Sequence, residues 1–260
     1  MMTGDPRPWR QVRLGDLTPV VDERPDGSVV LRARQPLGPY PRVLTERLEQ
    51  WARAVPGRTL LSWREAGGRA TLTYGEAWPL VRAVGQALID RGLSAERPLA
   101  ILSGNDAQHL LLALAAQHVG IPFAPVSPAY SLVSTDFAAL KQVMSLLSPG
   151  LVYVSDRVTF ARALAAAVRP GAEVIERSTF GWLTSVTSGP EVDLRHQAIQ
   201  PDHTAKILFT SGSTGTPKGV INTHRMLCSN QQMILQTLPF LGDAPPILVD
   251  WLPWHHTFGG

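Results

Sequence analysis

Apolar positions along the chain fall into two alternating patterns. Short, nearly solid apolar runs at residues 98–102, 121–126, 151–154 and 173–175 have the length and composition of buried strands. Between them, residues 106–119, 136–147 and 158–168 carry apolar side chains at helical spacing; Gly120 closes the first, and the second stops before Pro149-Gly150. The longest apolar run, residues 110–116, reads as the middle of a buried helix. Strand–helix alternation of this kind predicts an α/β fold with mostly parallel sheets covered by helices. Upstream, residues 44–55 predict a helix ended by Pro56-Gly57, and residues 59–63 and 69–73 predict a hairpin across Gly67-Gly68. Thr73 and Glu76 form a capping-box pair for a helix to about Arg91, with Gly92 as its stop. Residues 184–200 lack clear periodicity and are expected to be a connecting segment. Further on, residues 206–209, 220–223 and 247–252 predict strands, and residues 225–238 a helix. Residues 1–40, rich in proline, glycine and arginine, are expected to form an irregular arm with one hairpin around Pro25-Asp26-Gly27.

Composition narrows the class. A chain of 260 residues with 44% hydrophobic and 17% charged residues has the makeup of a soluble globular protein with a sizeable core. The net charge of +3 is spread without runs of like sign, so neither nucleic acid nor a membrane is implied as a partner. The lone Cys228 excludes an internal disulfide and a cysteine-based zinc site. The first ten residues lack the apolar core of a secretory leader, and no run nears the ~18–20 apolar residues of a spanning helix. The cytoplasm is the expected compartment. Oligomeric state has no signal.

The densest chemical signal is Thr210-Ser211-Gly212-Ser213-Thr214-Gly215-Thr216-Pro217-Lys218-Gly219, directly after the apolar run at 206–209. Glycines let backbone N–H groups turn toward a ligand, hydroxyls add short-reach donors, and a lysine adds a point charge. Together they make a cradle for phosphate oxygens. A Walker A loop is excluded, because Pro217 precedes Lys218 where glycine is required and Gly219 follows it where a hydroxyl is required. The dinucleotide pattern of three glycines fails as well. A simple surface turn is the bland alternative, but lysine is rare in this chain, at Lys141, Lys206 and Lys218 only, which weighs against it.

A second cluster ends the chain: Asp250-Trp251-Leu252-Pro253-Trp254-His255-His256-Thr257-Phe258-Gly259-Gly260. Adjacent histidines on extended backbone point apart, so His255 and His256 make a poor metal pair, and no metal site is expected. Read functionally, this turn is a ligand wall; read blandly, it is a packed aromatic corner. Core packing is at least as good an account of Trp251 and Trp254 as a place in that wall. His224 and Cys228 read as ordinary helix positions. His109 and His118, nine residues apart, are expected on roughly the same helix face with structural roles.

The block at 210–219 resembles, residue by residue, the phosphate-loop signature of the acyl-adenylating superfamily, which includes acyl-CoA synthetases, peptide-synthetase adenylation domains and firefly luciferase. Leu252-Pro253-Trp254-His255-His256 resembles the next motif of that superfamily, with His256 at the shared histidine. Within it the chain looks most like feruloyl-CoA synthases. The stretches that carry this are Ser103-Gly104-Asn105-Asp106, residues 122–134, residues 218–223 and residues 249–254; His255 stands where that subgroup has asparagine.

The resemblance implies an ATP-dependent carboxylate–CoA ligase acting on ferulate or a related hydroxycinnamate, with ATP, Mg2+ and coenzyme A. It implies that Thr210, Ser211, Gly212, Ser213, Thr214, Gly215, Thr216, Lys218 and Gly219 grip the ATP phosphates. It places Trp254 and His256 at the acyl pocket, with His256 as the catalytic candidate. Residues 41–260 would be the N-terminal part of an AMP-binding domain. Later motifs and a small C-terminal domain would lie beyond Gly260, so a fragment or a truncated product is expected. The alternatives are a non-catalytic remnant that keeps only the phosphate loop, a synthetase for fatty or other aryl acids, and a P-loop kinase or ATPase.

Overall fold

The computed structural model describes residues 11–65, 67–210, 216–257 and 259. These fall into two compact units: Pro41–Leu227 with Trp251–Gly260, and the residues up to Tyr40 with Cys228–Asp250.

The larger unit is built on a six-stranded sheet. Its strands are β5 (Leu99–Leu102), β6 (Phe123–Pro125), β7 (Leu151–Val154), β8 (Glu173–Glu176), β9 (Thr204–Thr210) and β10 (Lys218–Thr223), in the order β10-β9-β6-β5-β7-β8. The first five run parallel; β10 turns back antiparallel on β9. The solid apolar runs of β5 and β7 follow from burial on both faces, every residue of each being buried. The α/β expectation thus holds.

Alternate residues of each strand serve different cores. Leu99, Ile101, Phe123, Leu151, Tyr153 and Ile175 pack with helices α2 (Tyr74–Asp90) and α3 (Ala107–His118). Ala100, Leu102, Ala124, Val152 and Val154 pack with α5 (Ala138–Leu147) and α6 (Ala161–Ala167), and Ile207 and Phe209 pack against them. The connection from β5 through α3 leads to β6 over one face. The connection from β6 through the short α4 (Ala129–Leu132) and α5 passes over the other face to β7. Crossovers that leave neighbouring strands for opposite faces open a crevice at the carboxyl ends of β5 and β6.

Local signals set the flanking elements. Helix α1 (Thr45–Ala54) precedes a separate hairpin of β3 (Thr59–Glu65) and β4 (Gly68–Thr73). Thr73 and Glu76 form a complete capping box at the start of α2. Gly92 and Gly120, at φ of 66° and 70°, take the left-handed conformation that ends α2 and α3.

Two expectations fail in this unit and one straddles the boundary between units. Residues 184–200 are not merely a connection: α7 (Gly181–Thr184) precedes them and α8 (Pro190–Ala198) fills their second half. Helix α8 escapes a periodicity reading because Val192 is its one buried residue. Its signals are charge and proline instead, with Pro190 at the start, Glu191 and Asp193 in the first turn, and Arg195 and His196 in the last. His109 and His118 do not share a face. Nine residues make two and a half helical turns, which sets them on opposite sides of α3. Residues 247–252 form no strand; Ile247, Leu248, Val249 and Trp251 are 95, 80, 90 and 81% exposed, so Trp251 packs in no core. An apolar run becomes a strand only within a ladder, and residues 247–252 are in none.

In the smaller unit, β1 (Pro19–Glu23) pairs with β2 (Val29–Ala33) across a turn closed by Gly27 at φ 82°. Helix α9 (His224–Thr237) begins in the larger unit, and its part from Cys228 onward belongs to this one. Gly15 donates its N–H to the Thr237 carbonyl at 3.0 Å, and the Gly38 N–H reaches Gln236 Oε1 at 2.6 Å. A Cβ on Gly15 would stand 2.0 Å from the Gln236 carbonyl oxygen, so only glycine permits that approach.

Candidate functional site

Strand β9 delivers the phosphate-loop block to the carboxyl edge of the sheet, and β10 carries the chain back. Lys218 lies in register with Thr210, and Gly219 with Phe209, so the two ends of the block face each other across a hairpin mouth. Thr210 is half-buried, while Thr216, Lys218 and Gly219 are exposed. Ser211, Gly212, Ser213, Thr214 and Gly215 lie outside the described residues. Pro217 is buried, and its carbonyl accepts a hydrogen bond from Gln142 Nε2 of α5 at 3.4 Å. A Cβ on Gly219 would stand 3.1 Å from the Ile207 side chain and 3.5 Å from the Phe209 ring, so glycine here keeps β10 close against β9.

The loop after β5 lies two strands away, roughly 10 Å at the usual strand spacing. Its residues are cross-bonded to the sheet and helix beneath. Asp106 caps α3 by accepting from the His109 N–H at 2.6 Å, and it also accepts from the Tyr153 hydroxyl and the Arg177 guanidinium, both at 3.4 Å. Burial beside the Asp106 carboxylate pushes the Tyr153 phenol upward, so it stays a neutral donor. Ser103 Oγ donates to the Gly104 carbonyl at 2.9 Å, and the buried His109 places Nδ1 3.1 Å from the same carbonyl. Burial lowers the His109 pKa and favours the neutral ring with Nδ1–H as donor.

The turn with the candidate histidines sits on this loop. Asn105 Nδ2 donates to the Leu252 carbonyl at 2.7 Å, and the Trp254 N–H donates to Asn105 Oδ1 at 3.0 Å. The half-buried Trp254 ring meets the His109 ring edge-on, with centroids 5.2 Å apart. Within the turn, the His256 N–H donates to the Pro253 carbonyl at 3.0 Å. His256 is exposed. His255 is half-buried, and burial, then its neighbour His256, lowers its pKa.

Sequence reasoning missed three residues here. Asn105 appeared only as part of a resembling stretch, His109 only as a structural residue, and Gln142 not at all. Asn105 and Gln142 act on backbone 147 and 75 residues away, a pairing with no local signature. For His109, the helical phase would have separated it from His118 and turned it toward Ser103. His118 packs instead on the opposite side, stacked on His196 at 4.3 Å, edge-on to Trp78 at 5.0 Å, and with Nδ1 3.1 Å from Thr45 Oγ1.

Among the described residues, no group of three or more His, Cys, Asp or Glu could hold a metal ion. No helix among them is long and apolar enough to cross a membrane.

A mostly parallel sheet whose crossovers part at β5 and β6, with β9 ending on the same carboxyl edge, defines an α/β protein. The chain belongs to the AMP-binding enzyme family, whose sequence profile matches residues 48–260. It is 28% identical over 228 residues to the probable non-canonical nonribosomal peptide synthetase CymA of Salinispora arenicola, covering 87% of this chain and 3% of that protein. It is also 28% identical over 225 residues to a 3-[(3aS,4S,7aS)-7a-methyl-1,5-dioxo-octahydro-1H-inden-4-yl]propanoyl:CoA ligase of Mycobacterium tuberculosis, covering 84% of this chain and 43% of that one. The chain therefore spans less than half the length of either relative. Its fold matches the crystal structure of the fatty acid AMP ligase from Legionella pneumophila with a TM-score of 0.63 at 19% identity, over 84% of this chain and 36% of that one.

Proposed function

We propose that this chain is the N-terminal part of an ATP-dependent carboxylate–CoA ligase that first makes an acyl-AMP and then an acyl-CoA. The observation that carries this reading is the block at 210–219, which leaves β9 at the carboxyl edge with Lys218 in register opposite Thr210.

In the first step a carboxylate oxygen attacks the α-phosphorus of ATP; the new P–O bond forms as the bond to pyrophosphate breaks, and pyrophosphate leaves. Catalysis of such a step is mostly positioning and charge stabilisation. The backbone of Gly212 and Gly215, with the hydroxyls of Thr210, Ser211, Ser213, Thr214 and Thr216, would donate to the β- and γ-phosphates. Lys218 would offset the charge that gathers on the leaving pyrophosphate, and Gly219 keeps the hairpin mouth closed behind it. Trp254 and His256 would form the wall of the acyl pocket, with the His256 imidazole donating one hydrogen bond near the reacting groups. In the second step the thiol sulfur of coenzyme A attacks the acyl carbon, its proton is lost, and AMP departs with the electron pair of the broken C–O bond. Magnesium in this reading arrives on the triphosphate, and no step is assigned to a metal held by protein side chains.

Ferulate or a related hydroxycinnamate is the favoured acid. The support is the resemblance of residues 103–106, 122–134, 218–223 and 249–254 to feruloyl-CoA synthases. The M. tuberculosis relative is named a CoA ligase, which supports coenzyme A as the acceptor. ATP and coenzyme A are cytoplasmic pools, and the reading puts the protein there. The test is pyrophosphate release by the full-length protein with ATP, Mg2+ and, in separate reactions, ferulate, p-coumarate, caffeate and a fatty acid. Release with ferulate and a feruloyl thioester after coenzyme A is added are the expected results. Release with the fatty acid alone transfers the reading to a fatty-acid ligase, and release with none of them removes it.

A further inference from the structure

The loop after β5 supplies a contact that the adenylation reading leaves unused. Asn105 reaches the turn at 252–254 with both ends of its carboxamide, donating to the Leu252 carbonyl at 2.7 Å and accepting from the Trp254 N–H at 3.0 Å. A carboxamide presents a donor and an acceptor side by side, so it can pair with a C=O and an N–H two residues apart as a neighbouring strand would. No strand does that work here, since residues 247–252 lack a ladder.

The anchor end of this contact is fixed. Asp106 is tied to α3, Tyr153 and Arg177, and the Gly104 carbonyl is held by Ser103 and His109. A second contact reaches the same turn independently, the edge-on packing of His109 on Trp254 at 5.2 Å. From Trp254 the turn continues through the Pro253 carbonyl, which accepts from the His256 N–H at 3.0 Å. A shift of the backbone at 252–254 therefore carries His256 with it.

We propose that Asn105 is a positioning residue: its carboxamide clamps the main chain at Leu252 and Trp254 to the rigid edge of the sheet and so sets where His256 stands. Its catalytic consequence rests on the adenylation reading, while the clamp itself does not. Aspartate at this position would keep the acceptor for Trp254 but set a carboxylate against the Leu252 carbonyl. Alanine would remove both bonds, and glutamine would offer the same group one methylene farther out.

The test uses the full-length protein with Asn105→Ala, Asn105→Asp and Asn105→Gln. Amide hydrogen exchange reads the clamp directly. The Trp254 amide should exchange about tenfold faster or more in Asn105→Ala, while the amides of Leu112 and Val152, inside α3 and β7, keep their wild-type rates. Carboxylate-dependent ATP–pyrophosphate exchange reads the consequence. We expect kcat about ten- to a hundredfold lower in Asn105→Ala, with KM for ATP within about twofold, and partial recovery in Asn105→Gln. Unchanged exchange at Trp254 overturns the clamp. Lost protection with unchanged kcat, or with a rise in KM alone, overturns the positioning role. If Leu112 also loses protection in Asn105→Ala, the aspartate and glutamine variants decide by the same two readouts. A wild-type protein that exchanges pyrophosphate with no carboxylate removes the adenylation reading and the catalytic role with it; the amide rates then still decide the clamp.

Discussion

Two apolar runs of similar sequence meet opposite fates in this chain. Leu99-Ala100-Ile101-Leu102 is fully buried, paired on one side with β6 and on the other with β7. Ile247-Leu248-Val249-Asp250-Trp251-Leu252 has the same strand-like composition, yet Ile247, Leu248, Val249 and Trp251 stand 80% exposed or more, only Leu252 is half-buried, and the backbone joins no ladder. The difference lies in the surroundings. A run between two in-register neighbours satisfies its N–H and C=O groups while burying its side chains. A run without such neighbours gains nothing from being extended. Hydropathy states what a segment would bury, and topology decides whether it does.

The contrast should be largest in stability. Ile101→Ala opens a cavity between α3 and the sheet and should cost about 3–4 kcal/mol, read as a lower urea midpoint at unchanged slope. A loss under about 1 kcal/mol would mean that β5 is not the centre of the core.

Acid should sharpen the same contrast by weakening only the packed region. His224 is fully buried, with neither ring nitrogen bonded among the described residues, and burial, aided by His203, Arg42 and His196, lowers its pKa to about 4. Burial and the stacked His196 lower His118 to about 3. Between an unfolded imidazole pKa near ~6.5 and these folded values, the unfolded chain binds more protons, so stability falls as pH falls. For His224 the loss should run from about pH 6.5 down to about 4 and total on the order of 3 kcal/mol, with no change above that window. Urea midpoints at pH 7.5 and pH 5 should draw together in His224→Leu. An equal drop in the variant and the wild type would place the acid sensitivity elsewhere.

A smaller effect isolates a purely local signal. Thr73→Ala removes the side-chain half of the capping box on α2 and should cost about 1 kcal/mol. Thr73→Ser should restore most of it, and no change in the alanine variant would make the box ornamental. Smallest of all, Leu248→Ala should move the urea midpoint by less than about 0.5 kcal/mol in free energy, because the side chain is already in water. A loss near that of Ile101→Ala would show that the exposed run is packed in solution, and the contrast would collapse.

The same contrast explains what was legible in the sequence. Strands β5, β7 and β9 were readable as short apolar runs of strand length, and helices α3 and α5 as longer apolar segments with a local stop or cap, such as Gly120 and Asp106 for α3. Helix α8 was not, because a helix that buries only Val192 leaves no stripe to count. The run at 247–252 was misread because pattern carries no information about partners. In the candidate site, residues 210–219 announced themselves by composition alone. The bonds from Asn105 to Leu252 and Trp254 and from Gln142 to Pro217 depend on chain segments brought together only by the fold.

The central claim is that the loop between β9 and β10 serves attack at the α-phosphorus of ATP rather than transfer of the γ-phosphate. The most direct test identifies the nucleotide product when the full-length protein turns over ATP and Mg2+ with ferulate, for the wild type and for Lys218→Ala. The account predicts AMP and pyrophosphate in equal amounts, formed only when a carboxylate is present, and about tenfold slower or more in Lys218→Ala. ADP and inorganic phosphate, formed with or without the carboxylate, would contradict it.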